Sequence, residues 1–137
     1  MLLCLALLTG CSDNGRDTQA SQTLVLDGHC DVQSACTARG DSVSVSVHMA
    51  STRAALKPFN VTLSSNAALS AVTVSLEMPG MDMGQNRYRL LRTANGDWQA
   101  AITLPVCVSG RSDWQANFEL KTAKARYRLS VPFTLGE

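Results

Sequence analysis

The chain of 137 residues lacks an excess of either charge: twelve Lys and Arg stand against eleven Asp and Glu, a formal net charge of +1. That is too little to hold a nucleic acid by phosphate neutralisation. Histidine is scarce too. Only His29 and His48 are present, and neither has a sequence context that pairs it with a Ser or Cys nucleophile. No Gly-rich phosphate loop leads into a helix, because Gly80 and Gly84 precede a strand pattern. The acidic residues are scattered without calcium-loop spacing. No segment repeats its apolar residues at helical spacing, and the longest apolar run is too short to cross a bilayer. These absences predict a non-enzymatic, all-β protein.

That apolar run, Met1 to Leu8, reads as the core of a signal peptide. No basic residue precedes it, so a start further upstream is expected, with residues 1–10 the remainder of the signal. Leu8-Thr9-Gly10-Cys11 has the form of a lipobox, an aliphatic residue and two small ones before the Cys that is lipidated and becomes the mature N-terminus. Residues 11–22 are then the lipidated Cys and a polar, flexible tether able to reach roughly 35 Å. Ser12 after the lipidated Cys is neutral, which favours the outer membrane. Either membrane places the domain in the periplasm or at the cell surface, where disulfides persist.

From residue 23 onward the chain alternates. Val43, Val45, Val47 and Met49 share one face of a strand, with Ser42, Ser44, Ser46 and His48 on the other. Similar inward rows are Phe59, Val61, Leu63; Val72, Val74, Leu76; and Tyr88, Leu90. Trp98, Ala100, Ile102 and Leu104 follow the hairpin signal Asn95-Gly96. Trp114, Ala116, Phe118, Leu120 and then Tyr127, Leu129, Val131, Phe133, Leu135 complete the set. With Leu24-Val25-Leu26 as an opening strand, residues 23–137 predict an antiparallel β-sandwich of about seven to eight strands.

One stretch does not fit a strand. Met78-Pro79-Gly80-Met81-Asp82-Met83-Gly84 places three thioethers within a turn, at the surface, where burial explains little. Thioethers are soft ligands that suit Cu(I), and they are also adaptable apolar fillers. In an antiparallel sandwich each connection reverses the chain, so alternate connections share a pole. Counting from a first connection at 27–41, residues 49–58, 78–87 and 106–113 gather at one pole. Cys107 then joins Met78, Met81, Met83 and His48 as a candidate Cu(I) ligand set. Cys30 and Cys36, in one loop at the opposite pole with His29, are expected to form a disulfide with each other. Cys107 is then too distant to bond either. The plainer readings remain open: Met78 ends an inward row, His48 lies on the Ser face, and Cys107 could be a small buried apolar residue.

The MPGMDMG turn, Tyr88 and Gly96-Asp97-Trp98 resemble small bacterial periplasmic proteins of the FixH/YtkA-like group. Leu104-Pro105-Val106-Cys107, Gly110-Arg111 and Trp114 are similar to segments of proteobacterial lipoproteins. The resemblance implies an immunoglobulin-like fold and, by association, copper handling or respiratory-oxidase assembly. Many YtkA-like turns carry His where this chain has Met83, which implies a softer, Cu(I)-only site or none. Copper proteins of the CopC type share the fold class, but their N-terminal His arrangement has no counterpart here. The expected function is therefore a lipid-anchored copper-binding or copper-delivering domain. The alternative is a metal-free interaction module whose turn, with Arg87 and Arg111, contacts an envelope protein.

Overall fold

The structure, a computed structural model, describes residues 20–136. The expected signal peptide, Cys11 and most of the tether lie outside the described residues. Ten strands and no helix make up the described part: β1 (Ser21–Thr23), β2 (Val25–Leu26), β3 (Cys36–Arg39), β4 (Ser44–Met49), β5 (Phe59–Ser65), β6 (Ala71–Glu77), β7 (Arg87–Arg92), β8 (Trp98–Ile102), β9 (Asp113–Lys121) and β10 (Arg126–Thr134). The expected all-β class holds. The strand number does not: the structure has ten where about seven to eight were expected, and β1 starts two residues ahead of the expected boundary.

The strands follow one hydrogen-bonded order, β1-β10-β9-β6-β7-β8-β5-β4-β3-β2, which folds over on itself as a β-sandwich. Two strands carry the chain between layers. Arg87 to Leu90 of β7 pair with β6, while Leu91 and Arg92 pair with β8. At the other side, β1 pairs parallel with β10, the chain turns inward at buried Leu24, and β2 pairs with β3. The sheet is therefore mixed rather than wholly antiparallel. Splitting the opening strand in this way leaves only short edges, which protects the sandwich from edge-to-edge pairing.

The alternation seen in the sequence builds the core. Val43, Val45, Val47 and Met49 are buried, as are Val72, Val74 and Leu76, and Trp114 through Leu120 at every second position. Tyr88, Trp98 and Ala100 are only partly buried, because they lie where β7 and β8 cross between layers. The core runs from Leu24 to Phe133 within the described residues. The Asn95-Gly96 hairpin forms as expected: the Thr93 amide donates to the Asp97 carbonyl at 2.7 Å, and Gly96 has φ +93°. Few residues other than glycine tolerate that conformation.

The missed strand is β3. Its small inward residues, Cys36 and Ala38, gave a weak apolar signal. Cys36 pairs with Val47 and Arg39 with Ser44, so β3 starts at the pole where β4 ends. The added reversal carries the preceding loop to that pole as well, and the Met49 amide donates to the Val32 carbonyl at 2.8 Å. The Cys30–Cys36 disulfide forms, with Cα atoms 5.0 Å apart. Its pole is the opposite of the one expected.

Candidate functional site

At the pole where β6 and β8 end, two loops meet. The first follows β6. Met78 closes a tight turn through Pro79 and Gly80, with the Met81 amide donating to the Met78 carbonyl at 3.0 Å and Gly80 at φ +79°. Asp82 Oδ1 then accepts from the Gly84 amide at 2.9 Å, a side-chain turn typical of Asp. The second loop runs from Thr103 to Ser112. The Tyr88 hydroxyl holds its start by donating to the Thr103 carbonyl at 2.7 Å. A second turn closes where the Gly110 amide donates to the Cys107 carbonyl at 3.0 Å.

Arg111 ties the two loops. Its Nε and one Nη donate to the Asp113 carboxylate at 2.9 and 2.6 Å, and its other Nη donates to the Pro79 carbonyl at 2.9 Å. The sulfurs meet beside this tie. Cys107 Sγ is 3.6 Å from Met81 Sδ, and Ser109 Oγ lies 3.0 Å from the thiol and 3.7 Å from the thioether. Cys107 is a free cysteine only 6% exposed, and Met81 is partly buried against the core.

The Ser109 hydroxyl, its backbone amide and, more weakly, Arg111 hold the Cys107 thiol below its ordinary pKa; burial opposes them. All these donors stabilise the thiolate. Because the folded-state pKa is lowered, the associated stability is present above the ordinary thiol pKa and is lost as pH falls through the lowered one. Alkylation of Cys107 should accordingly follow a pH profile with its midpoint below that of a free cysteine. Ser109→Ala should move the midpoint up; a midpoint unmoved by that change would remove Ser109 from the account. Arg111 and Asp113 support each other, the guanidinium holding the carboxylate below its usual range.

The structure separates the candidate ligands. It brings Met81 and Cys107 together. The Met78 side chain is 1% exposed and packs in the core, as its place in the Val72, Val74, Leu76 row allowed. Met83 is partly buried, and its carbonyl accepts from Asn86 Nδ2 at 3.0 Å. His48 is exposed on the outer face of β4, opposite Thr62 of β5. Arg87 projects from the outer face of β7, away from the sulfurs, and donates to Thr73 Oγ1 at 3.4 Å. Among the described residues, no cluster of three His, Cys, Asp or Glu could hold a metal ion; a sulfur pair that includes Met is a different kind of donor set.

Sequence reasoning missed the groove beside this site. About 590 Å³ in volume, it is lined by His29, Cys30, Arg53, Pro79, Trp114 and Phe133 among others. It lies at the sulfur pole, so His29 is there too, not at the opposite end. Arg53 is a buried guanidinium that donates to the Thr134 carbonyl at 3.1 Å and the Ala50 carbonyl at 2.7 Å, joining the loop after β4 to the end of β10. Nothing in its local sequence marks it, since its partners lie 3 and 81 residues away.

No family model and no curated protein matches the chain. It is similar to a solved structure titled "Crystal structure of Br derivative BhCBM56", at 11% identity and a TM-score of 0.47, over 72% of this chain and 97% of that one.

Proposed function

We propose that this is a lipid-anchored protein of the bacterial envelope, immunoglobulin-like in fold, that binds Cu(I) through Cys107 and Met81 and passes it on. The observation that carries the reading is the 3.6 Å separation of the two sulfurs. Metal–sulfur bonds are about 2.3 Å, so two sulfurs on one trigonal or tetrahedral ion lie about 3.8–4.0 Å apart by that figure. The pair needs to open by only a few tenths of an ångström.

The donor chemistry supports the same reading. A thiolate and a thioether are soft ligands, which suit Cu(I) over harder ions. Cys30 and Cys36 are consumed in their disulfide and do not compete. Cys107 loses its proton on binding, and its lowered pKa reduces that cost near neutral pH. Met83 remains a candidate third ligand from the same turn; the burial of Met78 and the position of His48 argue against both. Val108, 99% exposed, lies next to Cys107 on the loop tip. A site with few protein ligands suits transfer by ligand exchange, a binding role rather than a catalytic one.

The strand order supports the fold assignment. Taken from β4 onward, β4-β5-β8-β7 and β6-β9-β10 correspond to the A-B-E-D and C-F-G layers of the immunoglobulin plan. The test is an anaerobic titration of the reduced folded unit, residues 20–137, with Cu(I) against a competing chelator, read together with X-ray absorption. One retained copper with a sulfur shell is expected. No retained copper, or a shell of nitrogen and oxygen alone, would overturn the proposal.

A second reading has its own observation. Leu56, Val106 and Val108 are 68%, 57% and 99% exposed, and all lie in loops of the sulfur pole. They fit a metal-free contact with an envelope protein. Capture of the same partner with and without chelator separates the two.

A further inference from the structure

The outer face of the layer β10-β9-β6-β7 is polarised by charge. Residues paired across strands share a face, so the register defines rows. Nearest the sulfur pole stand Thr134 and Asp113, then Pro132, Gln115 and Glu77; next come Ser130, Asn117, Ser75 and Arg87. Then follow Arg128, Glu119, Thr73 and Arg89, and last Arg126, Lys121 and Ala71. The three rows farthest from the sulfurs thus hold Arg87, Arg89, Lys121, Arg126 and Arg128 against the single carboxylate of Glu119. That carboxylate reaches only Arg126, at 4.0 Å, and Arg126 Nε is buried without a hydrogen-bond partner. Between the cations the floor is small and polar, making a trough of about 330 Å³ over Thr73, Ser75, Asn117 and Ser130, with Arg87 and Arg128 on its walls together with the single carboxylate of Glu119. No aromatic side chain lies among these rows.

The chain enters at the same end. Ser21, the first residue of β1, pairs with Arg126, so the first described strand begins beside the basic end. We propose that this face docks on the anionic phospholipid headgroups of a membrane, with phosphate seated in the trough between Arg87 and Arg128. Excess cations near such a surface are attracted over about one screening length. Charge supplies the attraction, so the contact is reversible and sensitive to salt; exposed Leu91, two residues beyond Arg89, adds a large apolar side chain at the same end. It also sets the orientation: the nine residues of β10 put the sulfur pole about 30 Å farther from the headgroups, facing the compartment. Only this last point rests on the lipid anchor and the copper site; the charge pattern is independent of both.

The test is co-sedimentation of residues 20–137 with phosphatidylcholine vesicles, with and without phosphatidylglycerol. Binding should require phosphatidylglycerol and vanish in about 1 M salt, where the screening length is about 3 Å. The exposed double change Arg89→Gln, Arg128→Gln should weaken it roughly 10- to 30-fold, while leaving the copper stoichiometry as it is in the parent protein. Equal binding to neutral vesicles, no binding at low salt, or unchanged binding by the double variant would overturn the proposal. Saturable binding of inorganic pyrophosphate without vesicle binding would overturn it too, assigning the trough to a soluble oxyanion.

Discussion

Cys107→Ala should weaken Cu(I) binding by at least about 100-fold, the largest functional effect expected of any single substitution in this protein. The estimate follows from structural metal sites, where apparent binding energies of roughly 10–16 kcal/mol are shared by four ligands, or about 3 kcal/mol each. A charged thiolate should carry no less than that share. Met81→Leu removes a neutral thioether while keeping the volume, so about tenfold is expected. Ser109→Ala leaves both sulfurs in place but removes the leading cause of the lowered thiol pKa. Its loss of affinity should be felt at neutral pH and recovered at high pH, where the thiolate forms unaided. Met78→Leu and His48→Ala should leave affinity unchanged. Chelator competition at several pH values measures all of these. Affinity lost equally with Met78→Leu and Met81→Leu would show that the turn matters as packing and not as ligand.

The largest effect on stability is expected at Phe118. Its side chain is 1% exposed in the middle of β9, paired with Val74 of β6 and Leu129 of β10. Rows of paired strands surround it on both sides, so the gap left by Phe118→Ala can close only in part. A loss of about 3–5 kcal/mol is expected, a large part of the roughly 5–15 kcal/mol that a domain has. The melting temperature should fall by about 12–20 °C for a unit of this size. Leu91→Asn, at a leucine 67% exposed, should change stability by less than about 0.5 kcal/mol. A loss below about 2 kcal/mol for Phe118→Ala would mean that the two layers relax toward each other more freely than a close-packed sandwich should.

The strands were legible because their signal is local. Val43, Val45, Val47 and Met49 alternate with polar residues, and period 2 has no other good explanation in a chain of this kind. Turns at Asn95-Gly96 and Pro79-Gly80 were legible for the same reason: the required backbone conformations favour glycine. The pairing of Cys30 with Cys36 followed from their place in one loop, where a local reversal of the chain brings their Cα atoms to 5.0 Å. Arg111 gave no such signal. Its partners are Asp113, two residues away, and the Pro79 carbonyl, 32 residues away, and only the folded chain unites them.

Alternation along the chain, by itself, determined the class of fold, the inward rows and the turns, since each depends on a few neighbouring residues. The pole at which a loop emerges depends instead on the number of reversals before it, so overlooking β3, with its small Cys36 and Ala38, sent the disulfide and His29 to the wrong end. Alternation already allowed a buried Met78 and an outward His48, but tertiary structure alone decided which sulfurs meet: it set Met81 against Cys107 by closing two loops that are distant in sequence. That choice was fixed by packing between layers, which no local pattern encodes.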